Sequence, residues 1–395
     1  QKLMISLKTS LCSRMRPRFS AGEFCLSMKR RLCTAGVLSA RADETVVCEP
    51  VLKSGGMKIG NTMRATNALN AMSQEIPLLD VDGVERKLLY LDSTSGPSPV
   101  SVPSEVDANR PLVILCGTAQ SIPTWSLHLR QLAKTRRVLI PELRSQGRST
   151  ELLIEHCTLD QHIKDLRQFL AHVVKCNQQV DLVGFSLGGR IGLSFAEAYP
   201  EVVRSISVTG VPHQRPYLGQ LILRSWLKGL QDAEYEKTSW SFFENGVTAK
   251  FLERNQRSMA RMVADVMKGN CERRLRNLLE NALASGALGM SGTDPDSSVS
   301  VSHGRLRLSC RAQVIASDED RLAGGGSEQR LADVIDTYHT VPGMHCHFDK
   351  ITNCGHLAPF ERPAEWRKLV MDFLDESVGS EADTTEAEDS NSSNS

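Results

Sequence analysis

Val180-Asp-Leu-Val-Gly-Phe-Ser186-Leu-Gly-Gly189 decides the fold of this chain. Its first six residues form an almost unbroken apolar run, the pattern of a strand buried on both faces. Leu187 then opens a helix-spaced segment that runs to Tyr199. At the junction, Gly184-Phe-Ser186-Leu-Gly188 places a serine on a strand-to-helix turn with a glycine two positions to either side. G-x-S-x-G in that setting is a nucleophile elbow, a turn so tight that its flanks must be small, and it lifts the serine hydroxyl to the top of a sheet. The helix dipole and the free N–H groups there favour developing negative charge. A phosphate-cradling glycine turn fits less well: G-x-G-x-x-G is absent, and Phe185 and Leu187 are the wrong side chains for a phosphate.

Outward from the elbow, strands and helices alternate. Arg86–Asp92 reads as an edge strand, Pro111–Cys116 as a buried strand, Arg137–Ile140 as a short one and Val203–Val208 as another. Thr158–Lys175 has helical spacing of Leu159, Ile163, Leu166, Phe169, Leu170 and Val173, with Thr158 and Gln161 fitting a capping box. This spacing implies right-handed crossovers and a parallel sheet. The alternation breaks after Pro212 and resumes with a strand at Ala312–Ala316, a helix near 327–338, a strand near 345–351 and a helix at 364–375. The expected fold class is therefore α/β, a mostly parallel central sheet flanked by helices. Its core runs over 85–212 and 309–375 and is interrupted by a helical insertion at 213–308. Residues 42–84 read as a lead-in without a clear pattern.

A serine is a poor nucleophile at neutral pH and needs a base. An elbow serine takes its partners in the chain order Ser, then Asp or Glu, then His. His356, in Cys354-Gly-His356-Leu-Ala-Pro after the last expected strand, is the candidate base. His345 and His347 are rivals; they alternate as in a strand, which buries one of them, and no further ligand spacing supports a metal there. The acid belongs to the turn after Ala312–Ala316: Asp320 is favoured because the loop has by then curved back, with Asp318 and then Glu319 as alternatives. Its role is to fix the histidine tautomer and to stabilise the imidazolium. An oxyanion hole needs two N–H donors. Leu187, next to the serine, is one; Thr118 is the other, with Ala119 next in line, and Gly117 lets that backbone approach a substrate carbonyl.

The chain has 395 residues, 41% apolar and 24% charged, a globular composition with enough apolar material for a large core. It has no uncharged apolar stretch of membrane-spanning length. The net charge of +1 comes from 47 basic and 46 acidic residues, which argues against a nucleic-acid partner. That balance is a sum of unequal parts. Residues 1–41 hold nine Lys or Arg and one acid, Glu23, whereas 376–395 hold six acids and no base. The head is Arg-rich and acid-poor, as transit peptides are, which points to a mitochondrion or plastid and otherwise to the cytoplasm. The chain opens on Gln1 rather than Met, pointing to a start further upstream. The acidic tail reads as disordered. Eleven cysteines without a C-x-x-C pair suit reduced thiols.

Together these residues resemble the α/β-hydrolase fold superfamily over about 85–212 and 308–375. The likeness rests on Leu115-Cys-Gly117-Thr with Trp125 downstream, Glu142-Leu-Arg144-Ser-Gln-Gly147-Arg-Ser149, the elbow, Asp320 and Gly355-His356. The resemblance implies a helical cap inserted after the sixth core strand, as in small esterases, lactonases and carbon–carbon bond hydrolases, and places Gly117 and Trp125 at the substrate. It implies a serine hydrolase of a small-molecule ester or thioester, with no metal or organic cofactor. An acyltransferase or carbon–carbon bond hydrolase using the same triad, or a non-catalytic ligand-binding protein, are the alternatives. Three positions depart from the family pattern: Cys116-Gly117 for His-Gly, Glu142 and Ser145 within its D-x-R-G-x-G-x-S, and Ser317 where Gly usually precedes the acid. In the cap, Trp226, Trp240, Phe242, Phe243 and Phe251 are expected either to line a pocket or to pack helices together. Arg254, Arg257, Arg261, Arg273, Arg274 and Arg276 suit an anionic substrate or a solvated face. Residues 286–304 read as a mobile loop.

Overall fold

In the computed structural model, residues 69, 72–95, 110–149, 152, 157–284 and 306–376 are described. The basic head, the acidic tail beyond Glu376 and the loop expected at 286–304 lie outside them.

The fully buried, mostly apolar strands occupy the middle of the sheet. β3 (Leu112–Leu115), β4 (Val138–Pro141) and β5 (Val180–Phe185) are buried at every position. Such strands have no face to give to water and must be covered by helices on both sides. Around them stand β1 (Ser73–Leu79), β2 (Glu85–Asp92), β6 (Val203–Thr209), β7 (Arg311–Ser317) and β8 (His347–Ile351), in the order β1-β2-β4-β3-β5-β6-β7-β8. β1 and β2 pair antiparallel with their neighbours, and every other pairing is parallel. Two expectations are corrected here. The core begins at Ser73 rather than 85, and Glu85–Asp92 is not the edge, because β1 covers it. β1 alternates buried and exposed residues weakly and carries Pro77, so its pattern is faint in sequence.

Buried charges fix the rim of the sheet. Arg144, fully enclosed, donates to Asp80 after β1 (2.9 Å) and to both carboxylate oxygens of Asp165 (2.9 Å each). At the opposite end, Asp181 in β5 accepts from Arg136 (2.7 Å), Arg204 (2.6 Å) and Ser205 (2.6 Å). A buried carboxylate is tolerated only when paired and hydrogen-bonded in this way.

The helices of the core are α1 (Ser126–Leu132), α2 (Leu159–Val173), α3 (Leu187–Ala198), α8 (Ser327–Tyr338), α9 (Ala358–Glu361) and α10 (Pro363–Asp375). Thr158 caps α2 by accepting from the Gln161 N–H, but the box is one-sided: the Gln161 amide turns to Asp165 instead (2.8 Å). Between β6 and β7 the cap supplies α4 (Tyr217–Gln231), α5 (Tyr235–Gly246), α6 (Ala249–Gly269) and α7 (Glu272–Ala284). No helix among the described residues is long and apolar enough to cross a membrane.

β3 has β4 on one side and β5 on the other, so the chain winds away from it in both directions. The crevice beyond the carboxyl ends of strands at such a switch point is where open α/β sheets place ligands.

Candidate active site

Ser186 sits at that crevice, between β5 and α3, with φ 49° and ψ −113°. A non-glycine residue at positive φ is strained, and the surroundings must hold it. Its N–H donates to Thr209 O (2.9 Å) and its carbonyl accepts from Arg190 N–H (3.1 Å). The close approach of α3 to β3 requires glycine at 188: a Cβ there would lie 2.1 Å from Leu115 O.

His356 Nε2 lies 3.0 Å from Ser186 Oγ, and its Nδ1 lies 2.7 Å from Asp320 Oδ2. The other carboxylate oxygen of Asp320 accepts from Leu322 N–H (2.7 Å) and Ala323 N–H (2.8 Å). Burial pushes the Asp320 carboxyl up, but the adjacent His356 and these two N–H groups outweigh it and hold the group below the ordinary carboxylate range. The floor beneath the imidazole is Gly210, at φ 66°, where a Cβ would come within 2.9 Å of His356 Cε1. The Phe185 ring stands beside it at 5.1 Å. Asp318 serves the same loop differently: its Oδ1 accepts from Cys354 N–H (3.2 Å). Glu319 donates its backbone N–H to Cys354 O (3.0 Å). Of the residues the sequence offered, the fold brings Ser186, His356 and Asp320 into one hydrogen-bonded chain.

The rival pair is corrected. His345 and His347 are both exposed, since β8 is the sheet edge and its start is open to water. Among the described residues no group of three or more His, Cys, Asp or Glu could hold a metal ion.

Thr118 and Leu187 both lie at the crevice, one after β3 and one opening α3, and their N–H groups have no protein acceptor among the described residues. The loop carrying Thr118 is folded by Gln120, whose amide oxygen accepts from Gly117 N–H (2.8 Å) and Trp125 Nε1 (3.2 Å). Gly117 packs on Phe185, where a Cβ would meet the ring at 2.6 Å. Trp125 is a correction. It is wholly buried, its ring against Phe185, Phe360, His128 and Trp366. Its indole anchors the loop from below and does not face an open pocket.

Glu142 stands where the family pattern has Asp. It accepts from Ile122 N–H (3.2 Å) and from Arg148 N–H, joining the turn after the Thr118 loop to the turn after β4. Burial, partly offset by those N–H groups, pushes its carboxyl up. Cys116, in place of the family's His, is enclosed and its thiol is pushed up by burial.

The cap contributes residues that no motif announced. Asn270, between α6 and α7, donates to Ala119 O (2.9 Å) and accepts from Gly147 N–H (3.3 Å). Arg274 donates to Gly147 O (2.9 Å). Trp226 and Phe242 pack edge to face at 4.8 Å, while Phe243 and Phe251 join Val247, Met259 and Val263 in a separate cluster. These aromatics bind cap helices together. An open cleft of about 960 Å³ between α4 and α5, flanked by Trp226, Tyr235 and Trp240, touches none of Ser186, His356 or Asp320. Arg254, Arg257, Arg261 and Arg273 are exposed.

Residues 112–369 match the alpha/beta hydrolase family. The chain belongs to that family. Among curated relatives, monoacylglycerol lipase ABHD6 of Homo sapiens is 21% identical over 264 residues, 67% of this chain and 74% of that protein. Ethanol acetyltransferase 1 of Cyberlindnera jadinii is 28% identical over 152 residues, 36% of this chain and 44% of that protein. Among solved structures, the enol-lactonase of Burkholderia xenovorans LB400 superposes with a TM-score of 0.58 at 15% identity, over 76% of this chain and all of that one. At that identity the likeness concerns the fold alone.

Proposed function

We propose that this α/β hydrolase cleaves a carboxylic ester or thioester of a small molecule through an acyl-enzyme on Ser186. The observation that carries the reading is the unbroken Asp320–His356–Ser186 chain of hydrogen bonds at 2.7 and 3.0 Å, at the head of α3. In this reading Ser186 Oγ attacks the substrate carbonyl while its proton passes to His356 Nε2. Asp320 keeps the other ring proton on Nδ1 and stabilises the imidazolium. The oxyanion rests on the N–H groups of Leu187 and Thr118. Collapse expels the alcohol or thiol, which takes the proton from His356. Water, deprotonated by His356, then attacks the acyl carbonyl and releases Ser186. No step draws on a metal or organic cofactor. The hydrolase relatives, a lipase among them, support the class of reaction.

A second reading replaces water with an alcohol or amine acceptor, giving an acyltransferase on the same residues. The similarity to an ethanol acetyltransferase favours keeping it. A fluorophosphonate probe tests the common core of both. The full chain should be labelled on one serine, and Ser186→Ala should abolish the label; equal labelling of that variant would sink the proposal. Competition between water and added alcohols for the acyl group of p-nitrophenyl esters then separates the two readings.

A further inference from the structure

We infer that Glu361 is a positioning residue that ties the cap to the histidine loop, so that His356 stays aligned with Ser186 only while the cap is seated. The inference rests on the serine-hydrolase reading above.

Glu361 ends α9, five residues beyond His356, and is buried. One of its carboxylate oxygens accepts from Gly355 N–H (3.0 Å), the residue immediately before the histidine. The same carboxylate accepts from Thr248 N–H (3.2 and 3.3 Å to its two oxygens) and from Thr248 Oγ1. Thr248 is the N-cap of α6, and its hydroxyl also accepts from Phe251 N–H (3.2 Å). The hydroxyl thus has its proton committed to Glu361 and a lone pair to the helix.

On the far side of the histidine, Leu357 N–H donates to Gly246 O at the end of α5 (2.8 Å). Both peptide neighbours of His356 are therefore held by cap residues 246–248, one directly and one through Glu361. The fit is close. A side chain at 355 would meet Gly246 O and Val247 Cα at 2.8 Å, and Leu357 packs into the Val247–Phe251 cluster. Among the described residues the His356 side chain has its hydrogen-bond partners, Asp320 and Ser186, in the core. Its ring is aimed by Asp320 and floored by Gly210, so its backbone placement is what the cap supplies.

A carboxylate suits this post because every group facing it is a donor. An amide would turn an NH₂ toward either Gly355 or Thr248 and lose one side of the tie. A group needed only for folding would alter the amount of folded protein and leave the folded fraction fully active. A positioning group alters kcat with little change in KM.

The test uses the full chain, p-nitrophenyl ester kinetics and the rate of fluorophosphonate labelling, each normalised to the folded fraction measured by thermal melting. Glu361→Gln should lower kcat and the labelling rate together by about tenfold, the scale of one lost bond to a charged group, with KM within about twofold. Thr248→Val should lower both by about threefold. The double variant should lose no more than Glu361→Gln alone, because both act through one tie. Glu365→Gln, an exposed carboxyl on the neighbouring helix, should match wild type. Wild-type kcat and labelling in folded Glu361→Gln, or multiplicative losses in the double variant, would overturn the inference. Failure of the wild-type chain to label at all would overturn the serine-hydrolase reading instead.

Discussion

The core and the cap meet at the Thr118 and His356 loops but are built by different rules. In the core, each candidate residue follows a strand: Thr118 follows β3, Ser186 follows β5, Asp320 follows β7 and His356 follows β8. Parallel register fixes where those strands end, so the residues converge without contacting one another along the way. In the cap, amphipathic helices pack on each other; Gly246 and Asn270 reach the loops of the site from helix ends through hydrogen bonds to loop backbone, and Thr248 does so through the Glu361 carboxylate. The core carries the groups that would react, and the cap holds the loops on which they stand. Loss of a core group should remove chemistry, whereas loss of a cap group should loosen it.

The sharpest way to break that contrast is at Ser186, the proposed nucleophile. Ser186→Ala should reduce ester hydrolysis by about 10⁴-fold or more with the fold intact, as measured by turnover and circular dichroism. A smaller loss would move the chemistry away from the core. Gly210→Val comes next. It forces a branched side chain into the space of the His356 ring at a positive φ, and kcat should fall about 10²-fold as the imidazole is displaced. An unchanged kcat would mean that the ring position is set elsewhere.

A third test concerns the core without touching the reacting groups. His128 is buried beside Trp125 and Trp366 and bonded to Pro359 O (2.7 Å); burial pushes it down to about 4. His162, also buried, is pushed down to about 4 as well. Both are neutral in the folded state, and in the unfolded chain they take up protons near the ordinary value of 6.5. Folded pKa values below the unfolded ones mean stability that is complete above about 6.5 and lost as pH falls toward about 4. Denaturant melts at pH 7 and pH 4.5 should differ by about 2 kcal/mol or more, and a His128→Asn variant should show a shallower dependence. Identical slopes would refute the buried-neutral assignment.

The cap predictions are smaller. Asn270→Ala should lower kcat about tenfold by freeing the Ala119 carbonyl and with it the Thr118 loop, while thermal stability changes little. Equal kcat would confine the cap's influence to the histidine side. Arg257→Gln, on the exposed face of α6, should leave turnover and stability within experimental scatter at neutral substrates. A marked loss with anionic esters alone would revive the anionic-substrate expectation for the basic cap.

How much of this was legible beforehand follows the same division. The elbow announced itself because Gly184 and Gly188 are steric requirements of a turn, and steric requirements survive in sequence as residue types. Asp320 could be preferred over Asp318 only by counting along a loop, and the two end up serving one loop in different ways: one bonds the imidazole, the other bonds Cys354 N–H. Trp125 misled because an aromatic near a site looks the same in sequence whether it lines a pocket or props up a loop. β1 was missed because its pattern is weak and its place is secured by Asp80 reaching Arg144, 64 residues away. Glu361 and Asn270 left no mark at all, since an ordinary Glu or Asn on a helix end gives no sign of which backbone it will meet.

Amino-acid order alone marked the alternation of strand and helix and the site of the insertion, and it named Ser186 and His356 as candidates with Asp320 preferred among the acids of its turn. These follow from local sterics and from periodicities of about two and 3.6, which are written residue by residue. Tertiary structure alone decided the edge of the sheet, the burial of Trp125, the exposure of His345 and His347, and the grip of the cap on the histidine and Thr118 loops. Each of these depends on which distant segment arrives opposite a given group. That is a matter of packing in three dimensions, and no local pattern encodes it.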